Sequence, residues 1–300
     1  AVLLGEVWDD CSNKYGPAGR RGYVDGDALD CAMNYPFAEA VIAFLAGGAD
    51  AYAFNNALQA QRERYPRPFY EACLNLISSH DIVRAATALS GAPDRTSTPR
   101  ALQAAYRPEE EAARKGFRLL VLAAALQAAL PGVPCVYYGD EAGMSGMADP
   151  FNRAPYPWGE ENPDTMRAYE ALLHARRDTP ALRRGLCRMG ALSPDVFALV
   201  RYLPEGQARD GRFAALLVNR GPRAETVTLR PERLYEGPDG ETGVPLPDGP
   251  AVLTEALTGE RAGISGGALH VTLPPECARL YIDRGATDQE TYADGRRNEG

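Results

Sequence analysis

The chain has 300 residues, 45% of them hydrophobic and 24% charged, with a net charge of −8. That composition suits a well-cored globular protein with one large domain, or a large and a smaller one, and its scattered Lys and Arg exclude the basic stripe of a nucleic-acid binder. Six widely spaced cysteines without a C-x-x-C pair point to free buried thiols, and the longest apolar stretch, near Leu119–Leu130, is too short to span a bilayer.

Ala1–Asp9 reads as a buried strand ending at Gly5-Glu6, and Cys11–Gly26 as a Gly- and Arg-rich loop. Ala28–Tyr35 is a second strand-like run. Pro36 then opens a helix over Phe37–Ala46, where its missing N–H costs nothing, and Gly47-Gly48 stops it. Ala51–Glu63 has a helical pattern, broken by Tyr65-Pro66-Arg67-Pro68. Leu74–Ser79 is a third strand, and Ala85–Leu89 a short helix. A Gly/Pro/Ser/Thr loop leads to Pro108-Glu109-Glu110-Glu111, which places acids in the first turn of a helix running to about Leu130. Val133–Tyr138 is a fourth strand. A long loop, Ala142–Asn162, precedes an amphipathic helix over Met166–Thr179. Alternating strands and helices imply a parallel sheet, and four strand–helix units make half of an eight-fold barrel.

After Arg183 the pattern changes. Leu186–Leu192, Val196–Leu203, Phe213–Asn219, Ala224–Leu229, Ala251–Leu257, Ala268–Leu273 and Ala278–Ile282 are strand-like runs between Gly/Pro/Asp turns, the signature of an antiparallel β-sandwich. The expected organisation is therefore a partial barrel over 1–183, a sandwich over 184–284 and a disordered polar tail over 285–300.

Three of the four barrel strands end in titratable groups: Glu6, His80-Asp81 and Asp140-Glu141. Strand C-termini of a parallel barrel meet at one face, so these residues become neighbours. Carboxylates converging with a His and aromatic side chains suit glycosidic bond cleavage, in which one acid protonates the leaving oxygen while others stabilise an oxocarbenium-like state. Trp8, Tyr35, Tyr137, Tyr138 and Trp158 offer flat surfaces for sugar rings.

Four segments carry a resemblance: Gly5-Glu6-Val7-Trp8, Leu29–Phe37 (LDCAMNYPF), Asn75–Asp81 (NLISSHD) and Pro131–Met144 (PGVPCVYYGDEAGM). In this order and spacing they resemble the α-amylase family, glycoside hydrolase family 13, in its neopullulanase/cyclomaltodextrinase-like branch. The resemblance implies the second half of a (β/α)8 TIM barrel, strands five to eight, followed by a β-sandwich. It implies a retaining α-glucan hydrolase or transglycosylase acting on α-1,4 bonds, with α-1,6 bonds as a further target, in maltooligosaccharides, cyclodextrins or pullulan. Glu6 would be the general acid/base. His80 and Asp81 would hold sugar hydroxyls and stabilise the transition state. Trp8 would line the aglycone side, and Asp149 and Arg153, in an Asp-Pro-x-x-Arg pattern, would contact the sugar on the non-reducing side. Ala154 stands where relatives often carry another Arg.

The family's nucleophilic Asp, in a Gly-x-Arg-x-Asp segment, has no counterpart in this chain, and the Asp residues after Glu6 are out of order for it. The expectation is a C-terminal portion that begins at barrel strand five and is inactive alone. Its partners would be an α-glucan substrate and the N-terminal half-barrel of the same enzyme. Open edge strands would favour aggregation or a homodimer through Val2–Val7. No cofactor is expected. A Ca2+ site of the kind some relatives carry would come largely from the other half. No nucleic-acid or membrane partner is expected, and the expected compartment is the cytoplasm. The rival reading is a non-catalytic glucan-binding or interaction protein on a degenerate amylase scaffold, which would have no need of Glu6.

Blander readings compete at each position. Glu6 could be a buried structural acid, although an unpaired one is costly. His80-Asp81 could be a helix cap beside a core histidine, and Asp149–Arg153 a surface ion pair. Asp140-Glu141 is read as capping its loop and Tyr35 more as barrel core than as a ligand contact, although it is kept among the substrate-binding candidates. His174 and the Arg176, Arg177, Arg183 and Arg184 run are read as a solvated helix end.

Overall fold

The structure is a computed structural model that describes residues 1–204, 211–235 and 252–284; the expected tail, 285–300, lies outside the described residues. The chain divides into two compact units. The first is Ala1–Gln127 with Gly132–Tyr169, and the second is Ala128–Pro131 with the chain from Glu170 onward.

In the first unit, strand β1 (Leu4–Gly5) is followed by a small hairpin, β2 (Tyr15–Gly16) and β3 (Gly19–Arg20). Strand β4 (Cys31–Ala32) pairs in parallel with β1, through Leu4 to Cys31 and Gly5 to Ala32. A parallel bridge from Met33 to Leu74 carries the sheet on to β5 (Leu74–Leu76), which pairs in parallel with β6 (Val133–Cys135). The four strands thus lie side by side in chain order, as half of an α/β barrel requires. The β1–β4 connection carries the hairpin and a 3-10 turn, Cys11–Asn13, where a helix would be usual.

Helices α1 (Tyr35–Ala46), α2 (Ala51–Arg64) and α3 (Arg67–Ala72) join β4 to β5. Helix α1 starts at Tyr35, two residues before the expected Phe37, because Asn34 caps it by accepting the Phe37 N–H at 3.2 Å. That cap also ends the expected strand early. Gly47, at φ 89°, closes the helix in the left-handed conformation that favours glycine. Helices α4 (Ala85–Leu89), α5 (Arg100–Ala105) and α6 (Glu110–Ala129) join β5 to β6, and α7 (Pro163–Asp178) follows the last loop. The helices α3 and α5, and α8 (Pro180–Arg184), lie where only breaks or loops were expected. In α3 and α8 a Pro occupies the first turn, where its lost N–H is harmless, and all three helices are too short for periodicity to register.

A buried polar ladder fixes the strands. Asn34 Nδ2 donates to Asn75 Oδ1 at 2.9 Å, Gln61 Nε2 donates to Asn34 Oδ1 at 2.7 Å, and Gln127 Nε2 donates to the carbonyls of Asn75 and Cys135 at 2.7 and 2.8 Å. Each group is satisfied by a neighbouring element, so the ladder sets which element lies beside which. Gly132, at φ 110°, leaves room for it: a Cβ there would stand 2.5 Å from Asn75 Nδ2.

The second unit is built on one eight-stranded antiparallel sheet. Its strands are β7 (Leu186–Ala191), β8 (Val196–Tyr202), β9 (Phe213–Asn219), β10 (Glu225–Leu229), β11 (Val252–Glu255), β12 (Arg261–Ser265), β13 (Ala268–Leu273) and β14 (Cys277–Ile282). The strand order is β10-β13-β12-β11-β14-β9-β8-β7. β12 pairs with β11 through Arg261–Gly263 and with β13 through Ile264 and Ser265, so it passes from one layer to the other. The sandwich is thus a single sheet folded over one core. Strand β8 contributes Val196, Ala198, Val200 and Tyr202 to that core, packed with Leu217, Leu229, Leu253 and Leu273. Every residue of β8 and β9 is buried, and α8 packs on the same strands. Arg176, read from the sequence as solvated, instead donates to the carbonyls of Ala128 and Leu130, both at 2.9 Å, at the carbonyl end of α6, where a cation is favoured. All six cysteines are free, and among the described residues no helix is long and apolar enough to cross a membrane.

Candidate active site

The site forms where β1 and β5 run out. Glu6 follows Gly5 at the end of β1, and His80 and Asp81 lie in the loop after β5. His80 Nε2 stands 3.2 Å from Asp81 Oδ2 and 3.9 Å from Glu6 Oε1. One ligand-type atom from each of the three residues falls within 4.8 Å of the others, close enough to share one cation or the hydroxyls of one sugar. Residues remote in the sequence are thus brought together by the parallel strand register. The Glu6 and His80 side chains are each 42% exposed and Asp81 28%, so all three are open to a ligand.

Tyr35, at the start of α1, supports this group from beneath. Its hydroxyl donates to Glu6 Oε1 at 3.1 Å and lies 3.2 Å from Ser79 Oγ. Burial, reinforced by the Glu6 carboxylate that accepts its proton, pushes the Tyr35 hydroxyl up to about 12. The ring stacks on Trp8, with centroids 4.8 Å apart and planes 10° from parallel. Tyr35 is therefore both core and site wall, and Trp8 remains 41% exposed. Ser79 Oγ also accepts the Asp81 N–H at 3.1 Å, which sets the turn that presents His80 and Asp81.

Asp149 and Arg153 pair with each other, Arg153 Nε to Asp149 Oδ1 at 2.6 Å. Arg153 also reaches Asp81, Nη2 to Oδ1 at 3.7 Å, so this pair borders the same group. Tyr137 and Tyr138 instead flank Arg84, whose guanidinium carbon lies 4.6 and 4.9 Å from their ring centroids. Trp158 is 83% exposed and packs against Tyr156, their centroids 4.5 Å apart. His174 is exposed on α7, and His270 is exposed on β13 with its Nδ1 3.0 Å from Thr228 Oγ1.

Three supporting residues went unassigned in the sequence: Arg84, Asn152 and Arg95. Arg84 is fully buried. Its Nη1 donates to Tyr138 O at 2.8 Å and to Asp140 Oδ1 at 3.2 Å, and its Nε donates to Asn152 O at 3.0 Å. Asp140, read from the sequence as a loop cap, is equally buried, and desolvation pushes its carboxyl up to about 7 against the opposing pull of Arg84. Asn152 Nδ2 donates to the carbonyls of Ser79 and Ile82, at 2.9 and 2.8 Å, and so clamps both sides of the His80–Asp81 turn. Arg95 Nη1 donates to Asp81 O at 3.0 Å from the far loop. The one sequence signal for Arg84 was its place at the end of the Leu74–Arg84 stretch. Glu141 Oε2 accepts the Gly139 N–H at 2.9 Å, a local loop contact.

Residues 1–184 match the family described as alpha amylase, catalytic domain. Among curated relatives, the chain is 32% identical over 280 residues to neopullulanase 2 of Thermoactinomyces vulgaris, covering 92% of this chain and 39% of the relative. It is 29% identical over 282 residues to a cyclomaltodextrinase of Geobacillus thermopakistaniensis, covering 93% and 39%. Among solved structures, the ligand-free cyclic α-maltosyl-(1→6)-maltose hydrolase of Arthrobacter globiformis superposes with a TM-score of 0.65 at 26% identity, over 95% of this chain and 50% of that one. The chain thus spans about two fifths of these curated relatives and half of the solved chain. On that match, and with the strand order the fold displays, the chain belongs to the α-amylase family of glycoside hydrolases.

Proposed function

We propose that this chain is the C-terminal portion of a retaining α-glucan hydrolase or transglycosylase acting on α-1,4, and on some α-1,6, glucosidic bonds. The substrate class comes from relatives named neopullulanase, cyclomaltodextrinase and amylopullulanase. The observation that carries the reading is the convergence of Glu6, His80 and Asp81 from two strand ends onto one exposed spot.

In this reading Glu6 protonates the glycosidic oxygen as the bond breaks, then takes a proton from the incoming water or sugar hydroxyl. Tyr35 holds the Glu6 carboxyl in place. Asp81 and His80 bind hydroxyls of the distorted sugar, and the Asp81 charge stabilises the positive charge that develops on it. Arg153 and Asp149 border the non-reducing side and Trp8 the leaving-group side. The nucleophilic carboxylate would come from a segment outside these 300 residues, since no Gly-x-Arg-x-Asp segment occurs within them.

The test joins the chain to the preceding half-barrel of a relative such as neopullulanase 2 and follows γ-cyclodextrin by proton NMR. The expected result is turnover with the α-anomer as first product, and none from the 300-residue chain alone. Turnover by the isolated chain, or a β-anomer product, overturns the reading.

A further inference from the structure

Arg84 immediately precedes α4, three residues after Asp81, and is fully buried. Burying a cation is costly unless it is paired, and a buried ion pair adds little net stability over apolar side chains of the same volume. Its partner shows that cost: desolvation pushes the Asp140 carboxyl up to about 7 in spite of the facing guanidinium. Stability alone is a poor reason for an arginine here. Geometry is a better one, since a guanidinium is planar and aims its donors in fixed directions.

Those directions join three segments of the first unit. Nη1 donates to Tyr138 O and Asp140 Oδ1 in the turn after β6, at 2.8 and 3.2 Å, and Nε donates to Asn152 O at 3.0 Å. The Arg84 backbone N–H donates to Gly146 O at 3.1 Å, and the Gly146 N–H donates back to Thr87 Oγ1 at 2.8 Å. Asn152 answers from the other side, with Nδ2 donating to Ser79 O and Ile82 O at 2.9 and 2.8 Å. Arg84 and Asn152 thus form a reciprocal clasp, in which each side chain holds the backbone of the other's segment. None of these bonds reaches the side chain of His80, Asp81, Asp149 or Arg153. Yet His80 and Asp81 stand in the turn on one side of the clasp. On the other, next to Asn152, stands Arg153, which pairs with Asp149 and comes within 3.7 Å of Asp81 Oδ1.

We propose that Arg84 is a positioning residue of this site, which through Asn152 sets Arg153 against Asp81 and so fixes the seat of the sugar ring at the bond to be cleaved. This role rests on the glycosidase reading and extends it to a residue that touches no substrate. The clasp matters most once the ring is distorted, where a misplacement of about 1 Å costs up to ~10²-fold in rate. Its loss therefore falls on kcat more than on KM.

Arg84→Lys keeps the charge that faces Asp140 and loses the fork that spans to Asn152. A cooperative urea transition checks that the variant is folded; where it is not, Asn152→Ala, which opens the clasp from the other side, takes its place in every measurement. In the 300-residue chain labelled with 15N, the Arg153 Nε–H and the His80 and Asp81 amide resonances are expected to shift or broaden together, while those of β13 in the second unit stay in place. In the chain joined to the half-barrel of a relative, kcat on γ-cyclodextrin is expected to fall about 10- to 100-fold, with KM changed less than about threefold. The kcat losses of Arg84→Lys and Asn152→Ala are expected not to multiply when combined, because both open one clasp. A folded variant whose Arg153, His80 and Asp81 resonances are unmoved overturns the proposal, whether or not the joined chain turns over. A kcat kept within about twofold in a joined chain that is active overturns it too. An unmodified joined chain without turnover overturns the glycosidase reading instead, and the resonances then decide on the clasp by themselves.

Discussion

The Tyr35 hydroxyl donates to Glu6 Oε1 across 3.1 Å, linking the first residue of α1 to the residue that follows β1. The contact joins neighbouring barrel strands through their ends. It makes the orientation of Glu6 a property of the β1–β4 pairing rather than of Glu6 alone.

Tyr35→Phe removes this donor and keeps the ring stacked on Trp8. In the chain joined to the half-barrel of a relative, kcat is expected to fall about tenfold, the worth of one hydrogen bond to a charged group. Binding of maltotriose, read from KM, is expected to change by less than threefold. Because burial pushes the Tyr35 hydroxyl up to about 12, its own ionisation is expected to leave the rate unchanged below that pH.

Asn152→Ala removes the donor to the buried Ser79 carbonyl and to the half-buried Ile82 carbonyl. The expected loss is about 1–3 kcal/mol for the buried Ser79 carbonyl and less for Ile82, measured by urea denaturation. Hydrogen exchange is expected to rise first at the Asp81 and Ile82 amides, since the clamp brackets them.

Arg84→Met removes the cation facing Asp140 and three donated bonds. The expected cost is about 3–5 kcal/mol, as for breaking a buried ion pair. The cost depends on pH. The folded Asp140 carboxyl lies near 7, above its ordinary value of 3.8, so the native state holds a proton there that the unfolded chain has released. This group's contribution to stability is therefore full below about 3.8 and declines as pH rises through 7. The Arg84→Met penalty is expected to be larger at pH 8, where a bare carboxylate would be stranded, than at pH 5. Equal penalties at both pH values would contradict the assignment.

The barrel strands were legible as short apolar runs, three of the four followed by titratable residues. Leu74–Leu76 before Ser78-Ser79-His80-Asp81 is the clearest. The sheet of the second unit was legible from its alternating apolar runs and turn residues, with β12 missed because Arg261–Ser265 is short and Gly-containing. The supporting contacts were not legible. Arg84 meets Asp140 and Asn152 meets Ser79 only through tertiary packing, and nothing local marks either as buried. Arg95 carries no local signal, and only the fold brings it against the Asp81 carbonyl. Tyr35 was weighed as core against contact, and its two ends divide the roles: the ring stacks on Trp8 while the hydroxyl reaches Glu6.

If Glu6 is the acid/base, its loss must matter in proportion to how much the leaving group needs a proton. In the chain joined to the half-barrel of a relative, Glu6→Gln is compared with the unmodified form on maltotriose and on maltosyl fluoride. Maltotriose needs its leaving oxygen protonated, whereas fluoride departs without an acid. The expected result is a loss of roughly a thousandfold or more in kcat/KM on maltotriose, within the range of general acid catalysis, ~10²–10⁴, and a loss under about tenfold on maltosyl fluoride. Equal losses on both substrates would contradict it and would place Glu6 in a binding or structural role.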